Sequence, residues 1–505
     1  MFSIRQRIRR RIRRRIQRKN IKRLRSTMNE HSTRMSDLKN NDISNSVRMN
    51  ALESTEVFQA IIIGAGPSGA YAARRLRNRF PGGRLLVLEK TDRVGGRLLS
   101  GYELSNQKGK SPIYDELGGM RIFIKLMSNV QDAVKDTDCS LVHVPLDSDA
   151  DNIFYYKGVR HVKKDFRING KEVPSLLKSA IERFVEETGH TGDYHESELV
   201  SSLSAREFMS MFGLTNDEIE ALLAYGGYDA VNENFHAAVV LDDEAFYTGG
   251  DLSKQHYFVE EGYSTVIKRL VSRSNVELKL NSPVSNIQKK IDGSLLVTYE
   301  ENGSQKDASA KMVFLCVAGE AISQLIPDFV SIDRRNVLDQ LSCISLFKCF
   351  LHWDDPENGE VQWWHQLGYT KGKHTTDLPL RMVWNYDSND LLIYNSGLTA
   401  VSWNEMLEKH GILFVAQTMF EQLKVLFGDD NIPPPNYDKT LYHYWPDGVA
   451  AWLPGTRVPD SINLLSDGKK DGSEFYVCGD ANSRLQGWVS GAFDSVDCAL
   501  EAAGI

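Results

Sequence analysis

Long apolar runs are missing from this chain. No stretch of about 18 consecutive apolar residues occurs anywhere in its 505 residues, so a membrane-spanning helix is not expected. The N-terminus lacks the apolar core that a secretory signal peptide requires. Cysteine is scarce: six residues (139, 316, 343, 349, 478, 498), with no CxxC pair and no regular spacing. That pattern argues against a disulfide framework and leads us to expect reduced thiols in an intracellular protein, with no metal site.

Acidic residues are missing from one end. Residues 1–25, "MFSIRQRIRRRIRRRIQRKNIKRLR", hold 13 basic side chains and no acid. Residues 1–54 carry 16 Lys+Arg against 4 Asp+Glu (+12), so the other 451 residues carry −19 of the total −7. Ile4, Ile8, Ile12 and Ile16 repeat every four positions, which on a helix makes one apolar stripe within a cationic sleeve. Three readings fit: a mitochondrial-type transit peptide, a tether to an anionic membrane, import receptor or nucleic acid, and a solvated tail. The expected location is therefore mitochondrial on the first reading and cytoplasmic otherwise. Residues 26–54 read as a polar linker, with the folded protein starting near Val57 and no nucleic-acid contact expected of it.

The rest has an ordinary globular make-up, 41% hydrophobic and 25% charged, and is long enough for about two to four domains. "VFQAIIIGAGPSGAYAARRLRNRF" runs from a β-rich apolar stretch through Gly64-x-Gly66-x-x-Gly69 into a helical pattern. The first glycine allows a tight turn, the second lets a pyrophosphate approach the backbone, and the third lets helix and strand pack closely. A second strand, "RLLVLEK", ends in Glu89, twenty residues after Gly69, the spacing at which a carboxylate reaches a ribose hydroxyl. A carboxylate there would repel a 2′-phosphate. Beyond it, "TDRVGGRLLS" supplies Gly95, Gly96 and the forked donors of Arg97.

This second glycine–arginine element after the acid resembles flavin amine oxidases. The end of the chain agrees: "EFYVCGDANSRLQGWVSGAF" reads as a strand, Gly479-Asp480, a loop and a helix from about Ser490. The resemblance implies an α/β protein: a GR2-type, Rossmann-like FAD domain, a mixed-sheet substrate domain and a helical insertion. The expected boundaries are 1–55 for the basic extension, 56–112 with 262–340 and 460–505 for FAD, 113–150 with 236–261 and 341–459 for substrate, and 151–235 for the insertion. It also implies non-covalent FAD, contacted by Gly64, Gly66, Ser68, Gly69, Glu89, Gly96, Arg97, Gly118, Gly119, Met120, Arg121, Val284, Trp445, Gly479, Asp480, Trp488 and Val489, with Cys316 to Gly319 nearby. A homodimer is expected.

In "SLFKCFLHW", Lys348 shares a strand face with Leu346, Phe350 and His352. Taken alone, such a lysine snorkels at a rim. The stretch is also similar to the amine-oxidase strand whose lysine holds a water near the flavin, which would make Lys348 catalytic.

"DELGGMRIF", residues 115–123, sets Arg121 among glycine and apolar residues. It resembles the GxMR motif of L-amino-acid oxidases, in which the arginine binds the substrate α-carboxylate. "GKHTTDLPLRMVW" and Gly487-Trp488 are also similar to that branch, with aliphatic Val449 at the facing wall. The match covers roughly residues 57–505 in segments. The tyrosine that assists the carboxylate in that branch falls near Trp384 or Asn385, neither of which is a phenol, so both are carried as substrate contacts. His236 is the nearest candidate for a general base, against a plain structural role. The acidic loop "LDDEAF" would suit a basic side chain or be solvated surface. The resemblance implies oxidation of an L-amino acid by O₂ to a 2-oxo acid, ammonia and H₂O₂, with an amine or polyamine oxidase or an oxidative decarboxylase as the alternatives.

Overall fold

A computed structural model describes residues 57–101, 115–144, 152–228, 235–242, 256–356, 360–369, 371–386 and 388–505. The basic extension and most of the "LDDEAF" loop lie outside the described residues, along with the expectations placed on them.

The strand Phe58–Ile63 is buried at every position but Gln59, as a strand covered on both faces must be. It lies between the parallel strands Leu85–Leu88 and Ser304–Leu315, with Ala60 opposite both Leu85 and Met312. Glu277–Lys279 extends one side of this sheet, and on the other Ser304–Leu315 is shared. Its first half pairs antiparallel with Leu295–Glu301, and its last residues pair in parallel with Phe475–Val477. Ala60 and Ile62 face the helices Pro67–Arg79, Tyr263–Arg273 and Val489–Ala503; Ile61 and Ile63 face the opposite core with Leu295, Val297 and Trp452.

The second sheet also has seven described strands, ordered Leu441–Trp452, Leu341–His352, Asp390–Ser396, Met382–Tyr386, Lys371–Thr376, Ile153–Tyr156 and Val159–Val162. It is mixed: Lys371–Thr376 and Ile153–Tyr156 run parallel, the other neighbours antiparallel. Period-two alternation divides its residues cleanly. Phe347, Cys349 and Leu351 pack under the helices Leu398–His410 and Ile412–Phe427, while Leu346 and Phe350 turn to the other face with Met120, Trp384 and Tyr394. That second face carries the site.

The stretch 151–235, expected to be helical, is helical from Val173 to Gly226 but begins with strands that join the mixed sheet. Lys157 and Gly158, both at positive φ, make the two-residue turn between them. A small sheet of Ile122–Phe123, His256–Val259 and Leu141–His143 holds the segment after Arg121. The six cysteines are free thiols. Among the described residues no helix is long and apolar enough to cross a membrane.

Candidate active site

The glycine turn is built as its chemistry demands. A Cβ on Gly69 would sit 1.9 Å from the Gly64 carbonyl oxygen, and one on Gly64, at φ +100°, would sit 2.4 Å from that of Cys316. Gly96 closes over the same turn, where a Cβ would lie 2.9 Å from Gly66 Cα. The helix Pro67–Arg79 starts at Gly66 with no side-chain cap, and Ser68 is buried in its first turn. Its free N–H groups and positive dipole end suit a pyrophosphate. Buried Glu89 accepts from the Ala65 N–H (2.8 Å) through Oε2 and from Thr91 through Oε1, so the acid also ties the glycine loop to its own strand. Oε2, with one donor, keeps acceptor capacity for a ribose hydroxyl.

Arg97 and Asp480, 383 positions apart, form a bidentate ion pair; Arg97 also donates to the Gly448 carbonyl (3.1 Å), and Asp480 accepts from the Gly487 N–H (3.0 Å). Gly479, at φ +148°, leads into it. These residues fit an FAD: uncapped N–H donors, a ribose-type acid and glycine surfaces that leave no room for a side chain. Val489 opens the last helix, with Trp488 at its N-cap. Val284 is half-buried opposite Tyr299 in the antiparallel part of the sheet, two residues after Ser282, whose N–H donates to the Glu89 carbonyl (2.8 Å).

Gly118 and Gly119 let the Arg121 segment press on the second dinucleotide element, since a Cβ on Gly118 would meet the Arg97 carbonyl oxygen at 2.0 Å. Trp445 fixes the same segment by donating its indole N–H to the Leu117 carbonyl (2.7 Å). The neighbouring acid does not serve Arg121: Glu116 is buried and accepts from the Ser100 hydroxyl and from the Tyr263 N–H (2.7 Å). Arg121 Nη2 instead donates to Tyr228 Oη at 3.0 Å. Its guanidinium carbon lies 5.4 Å from the Trp384 ring, 5.5 Å from Trp488 and 5.9 Å from Tyr228. Burial opposes its charge and the phenols of Tyr228, Tyr386 and Tyr394 favour it, leaving it protonated. Among the described ion pairs none includes Arg121.

Lys348 is not at a rim; it is 2% exposed. Its ammonium donates to the carbonyls of Glu116 (2.9 Å) and Gly118 (2.5 Å), lies 3.3 Å from Met120 Sδ, and faces the Tyr394 ring at 4.9 Å. Burial first and the charge of Arg121 second push its pKa down to about 7, against a smaller pull from Glu116. Gly487 and Val449 face each other, a Cβ on the glycine reaching 2.9 Å from Val449 Cγ1.

Two expected contacts are corrected. Asn385 points away from Arg121, because strand alternation sends it to the opposite face from Trp384; its amide donates to the Tyr369 carbonyl (3.3 Å). His236 is fully buried, with Nε2 on the Thr456 carbonyl (3.1 Å) and Nδ1 accepting from the Ala238 N–H (3.1 Å), so neither nitrogen is available as a base. The sequence reading also missed the phenol. The phenol that Arg121 meets is that of Tyr228, delivered by the left-handed Gly227 that caps the helix Asn216–Gly226, where any Cβ would strike Met382 Cγ at 2.4 Å. Tyr386 and Tyr394 were missed too, although both follow Trp384 and Leu392 by the strand period of two.

A dinucleotide cradle whose arginine–acid pair leans against a second, mixed sheet carrying a buried lysine defines a flavin-dependent oxidoreductase. The chain belongs to the flavin-containing amine oxidoreductases, whose family model matches residues 67–496, and FAD is its cofactor. Among curated proteins it is 25% identical over 485 residues to Uncharacterized protein R188 of Acanthamoeba polyphaga mimivirus, covering 86% of this chain and 92% of that one. It is 23% identical over 489 residues to L-amino acid oxidase Bs29 of Bothriechis schlegelii, covering 89% and 91%. With the L-amino-acid oxidase of Crotalus adamanteus the match is 23% over 359 residues, 66% of this chain and 63% of that protein. A solved wild-type putrescine oxidase bound to putrescine shares the fold, at TM-score 0.67 and 16% identity, over 88% of this chain and 98% of that one.

Proposed function

We propose that the protein is an L-amino-acid oxidase that converts an L-amino acid and O₂ to a 2-oxo acid, ammonia and H₂O₂. The observation that carries this reading is Arg121, a protonated guanidinium on an aromatic wall, hydrogen-bonded to one phenol and to no carboxylate among the described residues. Such a group is built to take an anion, and the two parallel N–H bonds it offers a carboxylate fix orientation as well as energy. Arg121 and Tyr228 would grip the α-carboxylate, with Trp384 and Trp488 holding the carbon chain and Gly487 and Val449 shaping the wall opposite. Bound non-covalently, FAD would supply the two-electron acceptor that takes the Cα hydride and passes the electrons on to O₂. Lys348, bonded to two backbone carbonyls and in no described ion pair, would set a cation beside the reacting carbon and can exchange its proton near neutral pH.

A second reading, an amine or polyamine oxidase, draws on the aromatic wall, since rings can house an ammonium. Arg121 counts against it, because a like charge would meet that ammonium. A peroxide assay of the twenty amino acids beside their decarboxylated amines tests the choice. Peroxide from at least one amino acid and none from its amine is expected; the reverse result rejects the amino-acid reading. The amide one carbon shorter, formed with carbon dioxide in step with turnover while catalase removes peroxide, would mark an oxidative decarboxylase instead.

A further inference from the structure

His256 begins the strand His256–Val259, directly opposite Phe123 and two residues along from Arg121 on the partner segment. Its ring faces the same side of that strand as Phe258, toward Tyr386, whose ring approaches the two at 6.5 and 5.3 Å. Phe123 and Phe258 lie 5.6 and 5.1 Å from the imidazole. His256 is 1% exposed, and among the described residues neither Nδ1 nor Nε2 has a hydrogen-bond partner. No other described buried histidine has both nitrogens unpaired.

Packing alone gives no reason for a histidine here. A buried polar group with nothing to bond lowers stability, and a phenylalanine would fill the same ring-lined space without that penalty. Burial, then the charge of Arg121, holds the ring well below the ordinary histidine range against a pull from the nearby Val144 backbone, too poorly placed for a hydrogen bond, so it stays neutral, with one donor nitrogen and one lone pair. The other described acceptors facing Arg121 are the phenol oxygens of Tyr228, Tyr386 and Tyr394. The imidazole nitrogen is the most basic of the group. An amino acid gripped by Arg121 carries its amino group on the next carbon, one bond from the carboxylate, in a pocket whose other described cation is Lys348.

We propose that His256 is a substrate-binding residue, its imidazole accepting a hydrogen bond from the substrate's α-amino group while Arg121 holds the carboxylate. This rests on the amino-acid reading above.

The test compares the FAD-loaded full chain as wild type, His256→Phe and His256→Gln. Two probes are used: the amino acid that performs best in the peroxide screen, and its desamino analogue, the carboxylic acid of the same carbon skeleton (4-methylpentanoate for leucine). Calorimetry gives the Kd of the analogue, steady-state kinetics give kcat and KM for the amino acid, and thermal unfolding reports the fold. His256→Phe should bind the analogue within about twofold of wild type and melt no lower, yet lose about ten- to a hundredfold in kcat/KM, as for a hydrogen bond to a charged group. His256→Gln, which keeps an acceptor, should recover part of that loss, and it carries the test if the phenylalanine variant fails to fold. Wild-type kcat/KM in His256→Phe, or equal losses for amino acid and analogue, overturns the proposal. Failure of the amino-acid reading shows separately, in the wild-type arm, as oxidation of amines and of no amino acid.

Discussion

Arg121 and Tyr228, 107 positions apart in sequence, meet through a 3.0 Å hydrogen bond in which the guanidinium donates to the phenol oxygen. The bond leaves the remaining N–H groups of the fork for a ligand and sets its angle. Removing the phenol should therefore loosen the fork without abolishing it. Tyr228→Phe is expected to lower kcat/KM for the best amino acid by about three- to tenfold, chiefly through KM. Arg121→Ala should cost about ten- to several-hundredfold. The double variant should lose less than the product of the two, because both changes remove one shared contact. Steady-state peroxide kinetics on the three variants check this.

Lys348 makes a pH-dependent stability prediction. Its folded pKa, about 7, lies below its ordinary 10.5, so between those values the unfolded chain binds more protons than the folded one. Stability from this group therefore rises with pH from about 7 to about 10.5, and below 7 the cost of a buried ammonium is borne in full. Lys348→Met should melt above wild type at pH 6, by an amount equivalent to roughly 5 kcal/mol. The gap should narrow towards pH 10. Melting curves of the two proteins from pH 6 to 10 show whether the difference follows this slope; a constant gap would contradict it.

The glycine turn predicts flavin content. An alanine at Gly69 would drive its Cβ into the Gly64 carbonyl oxygen, with no flexible side chain to yield. Gly96→Ala adds a methyl against Gly66 at a positive φ, which itself costs about 1 kcal/mol or more. Both variants should be purified with less bound flavin, Gly69→Ala nearly colourless. The ratio of visible to ultraviolet absorbance measures this.

The Arg97–Asp480 pair separates fold from cofactor. Asp480→Asn removes the bidentate partner of a largely buried guanidinium, leaving it only the weaker pull of Asp447, and should cost about 3 kcal/mol, read as a lower melting temperature, together with weaker FAD binding. Replacing both partners, Arg97→Met with Asp480→Leu, should return most of the stability but not the flavin. Recovery of both would show that the pair serves packing alone.

Legibility in the sequence followed the range of the interactions. The strand–turn–helix at Gly64 to Gly69, the acid at Glu89 and the last helix depend on neighbours a few residues away, and each lies where its local pattern places it. The Lys157–Gly158 hairpin also had a local signal, a lysine–glycine pair between short β-rich runs, but the longer helical periodicity after it dominated the reading of 151–235. At 384 and 385 the alternation was plain and its phase was not. One strand cannot say which of its faces meets the site until the sheet is covered, and the helices Leu398–His410 and Ile412–Phe427 cover the Asn385 side.

By itself the sequence determined the chemistry at hand: a glycine surface for a dinucleotide, an arginine set among glycine and apolar residues, and a lysine on an apolar strand. These are properties of residue type and short spacing. Only the tertiary structure decided what each of them meets. It turned Glu116 away from Arg121, brought Tyr228 to it over 107 positions, closed both nitrogens of His236 and left both nitrogens of His256 without a hydrogen-bond partner among the described residues. The physical reason is that a buried polar group is defined by its partners, and partners are chosen by packing between distant segments, which no local pattern encodes.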